Sequence, residues 1–390
     1  MKKFIHIVPD DKFIDCAIDL FESTKVENLY VHVVDKTPHI FKYIRNISKV
    51  KCLRTTDLNT LLDDPSIDMF CFHTLDYYIY QFVLQIPSEK KILWLAWGYD
   101  LYERVGICPP IIKIPCFKPL TQRYFKPLTQ RYTADGCDEG KVKRITYFVS
   151  YVKAFYKTLK AEYKARYLQK QVLKRVDYIS TVLPLEYEIL RKSTKIKAQY
   201  FPFQYASKKD VQNIQMQKGA DFILVGNSAT ATNNHMDVLR ILEERGITNT
   251  IQMPISYGDM YYPEFLNEIV DNNTLNINMI SKFMDRDKYI QFLTNCKALV
   301  LGCIRQQALG NINIMLYQGG KVFLYKDSID YVFLKNAGFV VFTIEDDLTS
   351  KNINTPLSEQ EIAINRKKIE TMWGYENVLT RLNSFLCKME

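Results

Sequence analysis

Short, strongly apolar runs alternate with longer amphipathic segments along almost the whole of this 390-residue chain. In the first half the apolar runs are Phe4–Val8, Leu29–Val34, Met69–Phe72 and Ile92–Trp97. Runs of this length that are rich in aromatic and β-branched residues are typical of buried strands, and amphipathic segments such as Lys12–Ser23 are typical of helices. The alternation therefore predicts an α/β fold in which parallel strands are connected by helical crossovers.

The same alternation continues through the second half of the chain, after a polar interruption. Residues 207–219 are polar and predict a linker between a first domain, 1–206, and a second domain, 220–357. Each domain is expected to be Rossmann-like, and the two parallel sheets are expected to face a cleft, with ligands near the carboxyl ends of the strands. A last helical segment within 358–390 is long enough to cross back over the junction.

Positive charge is concentrated in one predicted amphipathic helix, 141–175. It contains eleven Lys and Arg and one acidic residue, whereas the whole chain has a net charge of only +9. Four lysines at three- and four-residue spacing share one face, beside an apolar aromatic face: Lys153, Lys157, Lys160 and Lys164. The pattern favours contact with an anionic membrane surface, and a solvated helix face is the plainer alternative. No nucleic-acid partner is predicted, because the rest of the chain lacks a basic excess.

The cysteine, histidine and aspartate patterns predict no metal site. Nine cysteines are scattered without a CxxC pair, and five histidines form no HExxH motif. Asp285 and Asp287 form an Asp-x-Asp pattern, but they immediately precede an amphipathic helix and are predicted to stabilise its first turn. An odd number of cysteines in a chain of this length is typical of reduced thiols, so we expect a cytoplasmic protein.

An eight-residue segment, Phe117–Tyr124, is repeated at once and without change as Phe125–Tyr132. One tandem copy is too short for a solenoid, and a core would not absorb eight extra residues. Residues 105–140 are therefore predicted to be a surface excursion of the first domain.

Two loops of the second domain have the composition of an anion site. A predicted strand, Phe222–Val225, ends in Gly226, Asn227 and Ser228, and a helix begins near Asn234. Glycine lets backbone amides approach a ligand and a helix N-terminus favours negative charge, which suits a diphosphate or an anionic sugar group. An ordinary turn with a capping residue is the alternative.

The second of these loops is Arg305-Gln306-Gln307, which also follows a predicted buried strand and opens a helix at Gly310 and Asn311. An arginine pairs bidentately with phosphate oxygens, and two amides can hold a base, a ribose or a sugar hydroxyl. A solvated turn is the alternative.

In the first domain, Trp94–Tyr102 carries two tryptophans and Asp100 at a strand end. Aromatic faces beside a carboxylate suit a sugar, and Asp100 is a candidate general base, with a helix N-cap as the alternative role. His73 ends another strand and is the second candidate base. The alternative is that His73 has a purely structural role.

Several linked segments together resemble glycosyltransferase family 56, typified by the TDP-N-acetylfucosamine:lipid II N-acetylfucosaminyltransferase. They are Trp94–Tyr102 (WxxWGxDLY), Ile223–Ser228 with Asn234-His235, Met253–Gly258, Arg305–Gln307 with Gly310, and Val341–Leu348. Their order and separation fit the family from about Phe70 to Leu348. The chain departs from the family pattern after Ser228 and after Tyr257, which leaves the sugar and the nucleotide base open.

The resemblance implies a GT-B glycosyltransferase on the inner face of the bacterial cell membrane. It would move a fucosamine-type sugar, without a metal, from a dTDP-, UDP- or GDP-linked donor to a polyprenyl-diphosphate-linked acceptor in surface polysaccharide synthesis. His73 or Asp100 would be the base, and Arg305 would neutralise the leaving diphosphate. Tyr257 and Gln306 or Gln307 would contact the nucleotide or sugar. A polyol-phosphate transferase of the teichoic-acid type and a non-catalytic membrane-surface protein are the alternatives.

Overall fold

The computed structural model of the chain describes residues 2–35, 39–102, 108–123, 160–206, 214–217 and 219–389. It divides into two compact units. The first unit combines residues 1–113, 137–210 and 372–390, and the second combines residues 114–136 and 211–371. Of the linker predicted at 207–219, only residues 214–217 and 219 lie among the described residues.

The first unit is built on a seven-stranded parallel sheet in the order β3-β2-β1-β4-β5-β6-β7. Its strands are β1 Lys3–Ile7, β2 Glu27–Val34, β3 Val50–Arg54, β4 Met69–Phe72, β5 Lys91–Leu95, β6 Tyr178–Ser180 and β7 Gln199–Tyr200. Its helices up to residue 206 are α1 Ile14–Glu22, α2 Tyr80–Gln85, α3 Gly98–Tyr102, α5 at residues 160–175 and α6 Pro184–Thr194. Short 3-10 helices cover Ile47–Lys49, Thr55–Leu61 and Tyr77–Ile79.

The second unit is built on a six-stranded parallel sheet in the order β10-β9-β8-β11-β12-β13. Its strands are β8 Phe222–Val225, β9 Ile251–Pro254, β10 Ile277–Ile280, β11 Cys296–Leu301, β12 Lys321–Leu324 and β13 Phe342–Thr343. Its helices are α4 at residues 119–123, α7 His235–Glu244, α8 Tyr262–Asp271, α9 Arg286–Leu293, α10 Leu309–Gln318, α11 Ile329–Asn336, α12 Ile344–Asp347 and α13 Ser350–Asn354. A 3-10 turn covers Ala231–Asn233.

The prediction of an α/β fold with two Rossmann-like domains is confirmed, because every strand pair in both sheets is parallel. The central strands β4 and β8 are buried along their whole length, as continuous apolar runs in doubly covered parallel sheets should be. The carboxyl ends of the strands in one parallel sheet lie at one edge, where side chains from different loops meet. Each unit therefore has one edge at which a site is expected.

The end of the chain forms two helices where one was expected. Helix α14 covers Glu359–Trp373, and helix α15, Tyr375–Lys388, begins after the extended backbone of Gly374. Helix α15 packs into the core of the first unit through four side chains: Tyr375, Val378, Leu382 and Leu386. The first unit therefore contains both the beginning of the chain and residues 372–389.

Part of the excursion predicted at 105–140 is packed onto the second unit. Asp237 accepts hydrogen bonds from the backbone N–H of Leu120 at 2.9 Å, and from the N–H and Oγ1 of Thr121 at 2.9 and 2.7 Å. The Lys118 side chain pairs with Asp327 at 3.0 Å. The first copy of the repeated octapeptide is thus anchored up to residue 123, and the second copy lies outside the described residues.

No helix within the described ranges is both long and apolar enough to cross a membrane.

Candidate active site

Gly226 ends strand β8 in a conformation that favours glycine. Its φ is +71°, and a Cβ atom there would lie 2.4 Å from Nε2 of His235. The residue therefore lets the loop pass close to helix α7, whose first residue is the fully buried His235. Burial lowers the pKa of His235 to about 3, so this imidazole stays neutral.

Asn233 organises the loop that follows Gly226. Its Nδ2 donates to the carbonyl oxygen of Ser228 at 2.9 Å, and its Oδ1 accepts from the backbone N–H of Asn227 at 3.2 Å. The hydroxyl of Ser228 is buried and lies 2.9 Å from Oγ1 of Thr230. Ser228 therefore holds the loop together, whereas the partly exposed Asn227 is accessible at its surface.

Gln307 joins the two loops that the sequence singles out. Its Nε2 donates to Oδ1 of Asn227 at 2.7 Å, and its Oε1 accepts from Oγ1 of Thr232 at 2.8 Å. Nδ2 of Asn227 in turn donates to the hydroxyl of Tyr257 at 3.0 Å. Polar side chains from the loops after β8, β9 and β11 therefore meet at one edge of the second sheet.

Tyr257 is 45% exposed, and its loop is held against the Gly226 loop by backbone hydrogen bonds. The N–H of Ala229 donates to the carbonyl oxygen of Tyr257 at 2.7 Å, and the N–H of Asp259 donates to that of Ala229 at 2.8 Å. An accessible ring at this edge can cover a flat ligand group.

Helix α10 begins beside this cluster and presents its N-terminus. Its cap residue, Ala308, has a left-handed φ of +61°, and the exposed Gly310 has open space where a Cβ would point. Nδ2 of Asn311 donates to the hydroxyl of Tyr289 at 2.9 Å, so this side chain fixes the first turn. The free N–H groups of a ten-residue helix and its dipole make this a favourable place for a phosphate.

Arg305 and Gln306 are buried below this loop surface. The guanidinium of Arg305 donates to the carbonyl oxygen of Gln306 at 3.1 Å, and the N–H of Gln307 donates to the buried carboxylate of Asp330 at 3.1 Å. The positive charge of Arg305 therefore lies within the loop that precedes α10.

Asn234 has a structural position. It is fully buried, has a φ of +49°, and caps helix α7. Its side chain donates to the carbonyl oxygens of Gly302 at 2.6 Å and Cys116 at 3.1 Å, and accepts from the N–H of Lys118 at 2.8 Å. These contacts leave Asn234 as the anchor of residues 116–118, where the sequence suggested a ligand contact.

His73 and Asp100, the two expected bases, are both buried in the first unit. Nε2 of His73 lies 3.1 Å from Nδ1 of His6, and its Nδ1 lies 2.9 Å from the hydroxyl of Tyr205. Burial, and His6 beside it, hold the pKa of His73 well below its usual value of 6.5. Neither ring nitrogen is open to a substrate in this arrangement.

Asp100 holds together the loops at the end of β4 and β5. Its carboxylate accepts from Nε1 of Trp94 at 2.8 Å, from the N–H of Trp97 at 2.7 Å and from the N–H of Leu75 at 3.2 Å. Burial raises the pKa of Asp100 to about 7, and the three donors act against that rise. Trp94 is itself fully buried, so only Trp97 of this tryptophan pair reaches the surface.

Two other carboxylates at the same edge are partly exposed: Asp11, after β1, and Asp76, after β4. Oδ1 of Asp76 accepts from the hydroxyl of Tyr99 at 3.2 Å, and Oδ1 of Asp11 accepts from the N–H of Phe13 at 3.0 Å. Burial raises the pKa of both carboxyls above the ordinary value. The signal that could have found them is their place just after predicted strands.

The described part of the basic helix, α5, has an apolar buried face that includes Ala165 and Val172. Lys160 and Lys164 are exposed, as are Tyr163 (76%) and Tyr167 (56%). Because they are spaced by three or four residues, these four side chains share one face. Lys153 and Lys157 lie outside the described residues.

Asp285 caps helix α9, since its side chain accepts from the N–H of Lys288 at 3.1 Å. Within the ranges that the structure describes, no group of three or more His, Cys, Asp or Glu side chains is arranged to hold a metal ion.

Comparison with known proteins gives one family and a set of similar folds. The profile described as 4-alpha-L-fucosyltransferase, glycosyl transferase group 56, matches residues 141–380. Sucrose-phosphate synthase from Thermosynechococcus elongatus matches with a TM-score of 0.58 and 7% identity over 100% of this chain and 99% of that chain. HepE from Anabaena, in complex with UDP and glucose, matches with a TM-score of 0.59 and 8% identity over 100% of both chains.

An alpha-glucosyltransferase in complex with UDP and a 13-mer DNA matches with a TM-score of 0.52 and 8% identity, over 100% of this chain and 97% of that chain. At such low identity these matches show the fold alone. The fold is that of GT-B glycosyltransferases, as expected from the sequence.

Proposed function

Because the chain belongs to glycosyltransferase family 56, and is therefore a glycosyltransferase, we propose that it moves a fucosamine-type sugar from a nucleotide diphosphate to a polyprenyl-diphosphate-linked acceptor. We place this transfer in bacterial surface polysaccharide synthesis. The observation that carries the donor assignment is the meeting of the Gly226 loop, Gln307 and the start of α10 at one edge of the second sheet.

The donor diphosphate is proposed to lie on the first turn of α10, next to Asn227. The N–H groups of this turn and the buried charge of Arg305 would stabilise the negative charge that builds up on the leaving diphosphate. These are protein groups, so the proposed transfer requires no metal ion. Tyr257, exposed at the same edge, would cover the nucleotide base or the sugar.

The acceptor is proposed to bind at the carboxyl edge of the first sheet, where its hydroxyl must lose a proton. His73 and Asp100 are enclosed by their hydrogen-bond partners. Asp76 is partly exposed, so an acceptor hydroxyl can reach its carboxylate, and burial raises its pKa above the ordinary value, which makes it a stronger base than a free aspartate. We therefore transfer the role of base to Asp76.

A nucleotide diphosphate is expected to bind without a divalent cation. Two of the three similar structures described above contain UDP, so UDP is one of the nucleotides to test. Titration calorimetry with dTDP, UDP, GDP and ADP, each with and without EDTA, measures this. Preference for one of the first three, unchanged by EDTA, is the expected result. Binding that EDTA abolishes would contradict the metal-free mechanism, and no binding of any of the four would contradict the donor site.

The exposed face of α5 is proposed to hold the enzyme on the anionic membrane surface where a lipid-linked acceptor is found. Each basic residue near such a surface contributes roughly 1 kcal/mol. Replacing Lys160 and Lys164 with glutamate is therefore expected to lower binding to vesicles of phosphatidylglycerol and phosphatidylcholine by at least about tenfold.

Co-sedimentation with these vesicles is the measurement. A matched control replaces Lys282 and Lys351, exposed lysines of the second unit, with glutamate, which makes the same change in net charge. Equal loss of vesicle binding in both variants would show that net charge, and not the position of the lysines, determines binding. Unchanged binding of the α5 variant would show that this helix does not contact the membrane.

A further inference from the structure

A chain of hydrogen bonds runs from the interior of the first unit to the edge of its sheet. Oδ1 of Asn28 lies 3.1 Å from Nε2 of His6, and Nδ1 of His6 lies 3.1 Å from Nε2 of His73. Nδ1 of His73 lies 2.9 Å from the hydroxyl of Tyr205, which accepts from Nε1 of Trp97 at 2.8 Å. Both histidines are fully buried.

The direction of every bond in this chain follows from its two ends. Nδ2 of Asn28 donates to the carbonyl oxygens of Phe21 and Val26, at 3.1 and 3.0 Å, so its Oδ1 is the atom that faces His6. Nε2 of His6 must then carry a proton, and in a neutral ring its Nδ1 is an acceptor. His6 therefore accepts from Nε2–H of His73.

The same reasoning continues outward from His73. With its proton on Nε2, Nδ1 of His73 is an acceptor and the hydroxyl of Tyr205 must donate to it. The oxygen of Tyr205 is then left to accept from the indole N–H of Trp97, which has no other polar atom to offer. Every donor in this series of hydrogen bonds has an acceptor, so the series holds the Trp97 ring in one orientation.

This series of hydrogen bonds reaches the protein surface at Trp97. Its partly exposed ring packs edge-on against Phe13, at 5.8 Å between centroids, and against Tyr99, at 6.3 Å. Phe13 is 42% exposed. Asp11 and Asp76 belong to the same loops: Asp11 accepts from the N–H of Phe13, and Asp76 accepts from the hydroxyl of Tyr99. An aromatic wall flanked by carboxylates is suited to the CH faces and hydroxyls of a sugar ring.

We infer that Trp97 and Phe13 form the wall against which the acceptor's sugar stacks, and that His73 is a positioning residue that holds Trp97 through Tyr205. This inference rests on the proposed function, since it concerns the acceptor of that transfer. It gives His73 a role without contact to substrate, which agrees with its complete burial and its two occupied ring nitrogens.

A conservative substitution of His73 distinguishes a positioning residue from a general base. In His73→Gln the amide can still accept from Tyr205 and donate to His6, whereas His73→Leu can do neither. Tyr205→Phe removes the central hydroxyl and keeps the ring. Each variant is compared with the unaltered protein for kcat and KM, with a short-chain polyprenyl-diphosphate-linked sugar as acceptor, and for hydrolysis of the donor without acceptor.

We expect His73→Gln to stay within about threefold of the unaltered protein in kcat and acceptor KM. Tyr205→Phe and His73→Leu should raise the acceptor KM at least about tenfold, with less effect on kcat and none on donor hydrolysis. A hundredfold loss of kcat in His73→Gln with KM unchanged would make His73 a base and overturn the inference. An unchanged acceptor KM in Tyr205→Phe would also overturn it.

Acceptor binding is also followed without turnover, by quenching of tryptophan fluorescence with the same acceptor probe. Trp97→Phe should abolish the quenching, while the calorimetric affinity for the nucleotide diphosphate stays unchanged. If the acceptor still quenches the fluorescence of Trp97→Phe, the acceptor's sugar does not stack on Trp97 and the inference is wrong. If the unaltered protein binds no nucleotide diphosphate, the proposed function is wrong, so the two failures are distinguishable.

Discussion

Replacing Asp76 with asparagine is expected to lower kcat by about 10²–10⁴-fold, the usual contribution of a general base. The melting temperature and the donor affinity should stay close to those of the unaltered protein. Asp76 is partly exposed, and its side-chain hydrogen bonds come from two neighbouring hydroxyls, those of Tyr99 and Tyr78, which can also pair with an asparagine side chain. Steady-state kinetics and thermal unfolding of the same preparations measure the two quantities.

Asp100→Asn is the matched control, because Asp100 lies at the same edge but is enclosed by three donors. An asparagine NH₂ group would face at least one of these N–H groups, and two donors without an acceptor in a buried site are destabilising by about 1–3 kcal/mol. The main effect of Asp100→Asn should therefore be a lower melting temperature, whereas the main effect of Asp76→Asn should be a lower kcat. If Asp76→Asn keeps its full turnover while Asp100→Asn loses turnover and remains folded, the assignment of the base is wrong.

Replacing Gly310 with aspartate is expected to weaken binding of the nucleotide diphosphate by at least about 100-fold. Two unit charges 4 Å apart at an effective dielectric constant of 20 repel by about 4 kcal/mol, and the new carboxylate would extend toward the phosphates proposed to lie on the first turn of α10. The fold should tolerate the change, because a Cβ at Gly310 meets no atom within 4 Å.

Gly310→Ala is the control for this prediction. It adds the Cβ without the charge, and alanine favours a helix by about 1 kcal/mol over glycine. We expect it to bind the nucleotide like the unaltered protein, and both variants to unfold at or above its melting temperature, since an acidic residue also stabilises a first helical turn. Equal affinity of the aspartate and alanine variants in calorimetry would place the diphosphate elsewhere.

The fold could be predicted where strands are buried on both faces. Strands β4 and β8 read as continuous apolar runs, and their observed bounds, Met69–Phe72 and Phe222–Val225, are those predicted. Strand β3, Val50–Arg54, was missed because it lies at a sheet edge and is only partly buried, so its sequence lacks the apolar run. Helix α11, Ile329–Asn336, which connects β12 to β13, was also missed.

The sequence was enough to predict which loops form the candidate site. It was not enough to predict the direction in which their side chains point. The loops at Gly226 and Arg305 follow neighbouring parallel strands, so their meeting through Asn227 and Gln307 follows from topology. A polar residue at a strand end can point outward or into the core. His73 points inward and is hydrogen-bonded to Tyr205, which is distant in sequence, and no local pattern reveals such a partner. Asp100 also points inward, where it accepts from Trp94, Trp97 and Leu75.

The return of α15 to the first unit has a consequence for how this protein is made. Val378, Leu382 and Leu386 complete a core whose other members begin with Phe4, so that core cannot close until the ribosome has translated almost all of the chain described here. The second unit, residues 114–136 and 211–371, is complete earlier during synthesis. Since domains generally fold as units, the later unit in the sequence is the one that can fold first, and the nascent N-terminal sheet must wait with its apolar surface open to chaperones.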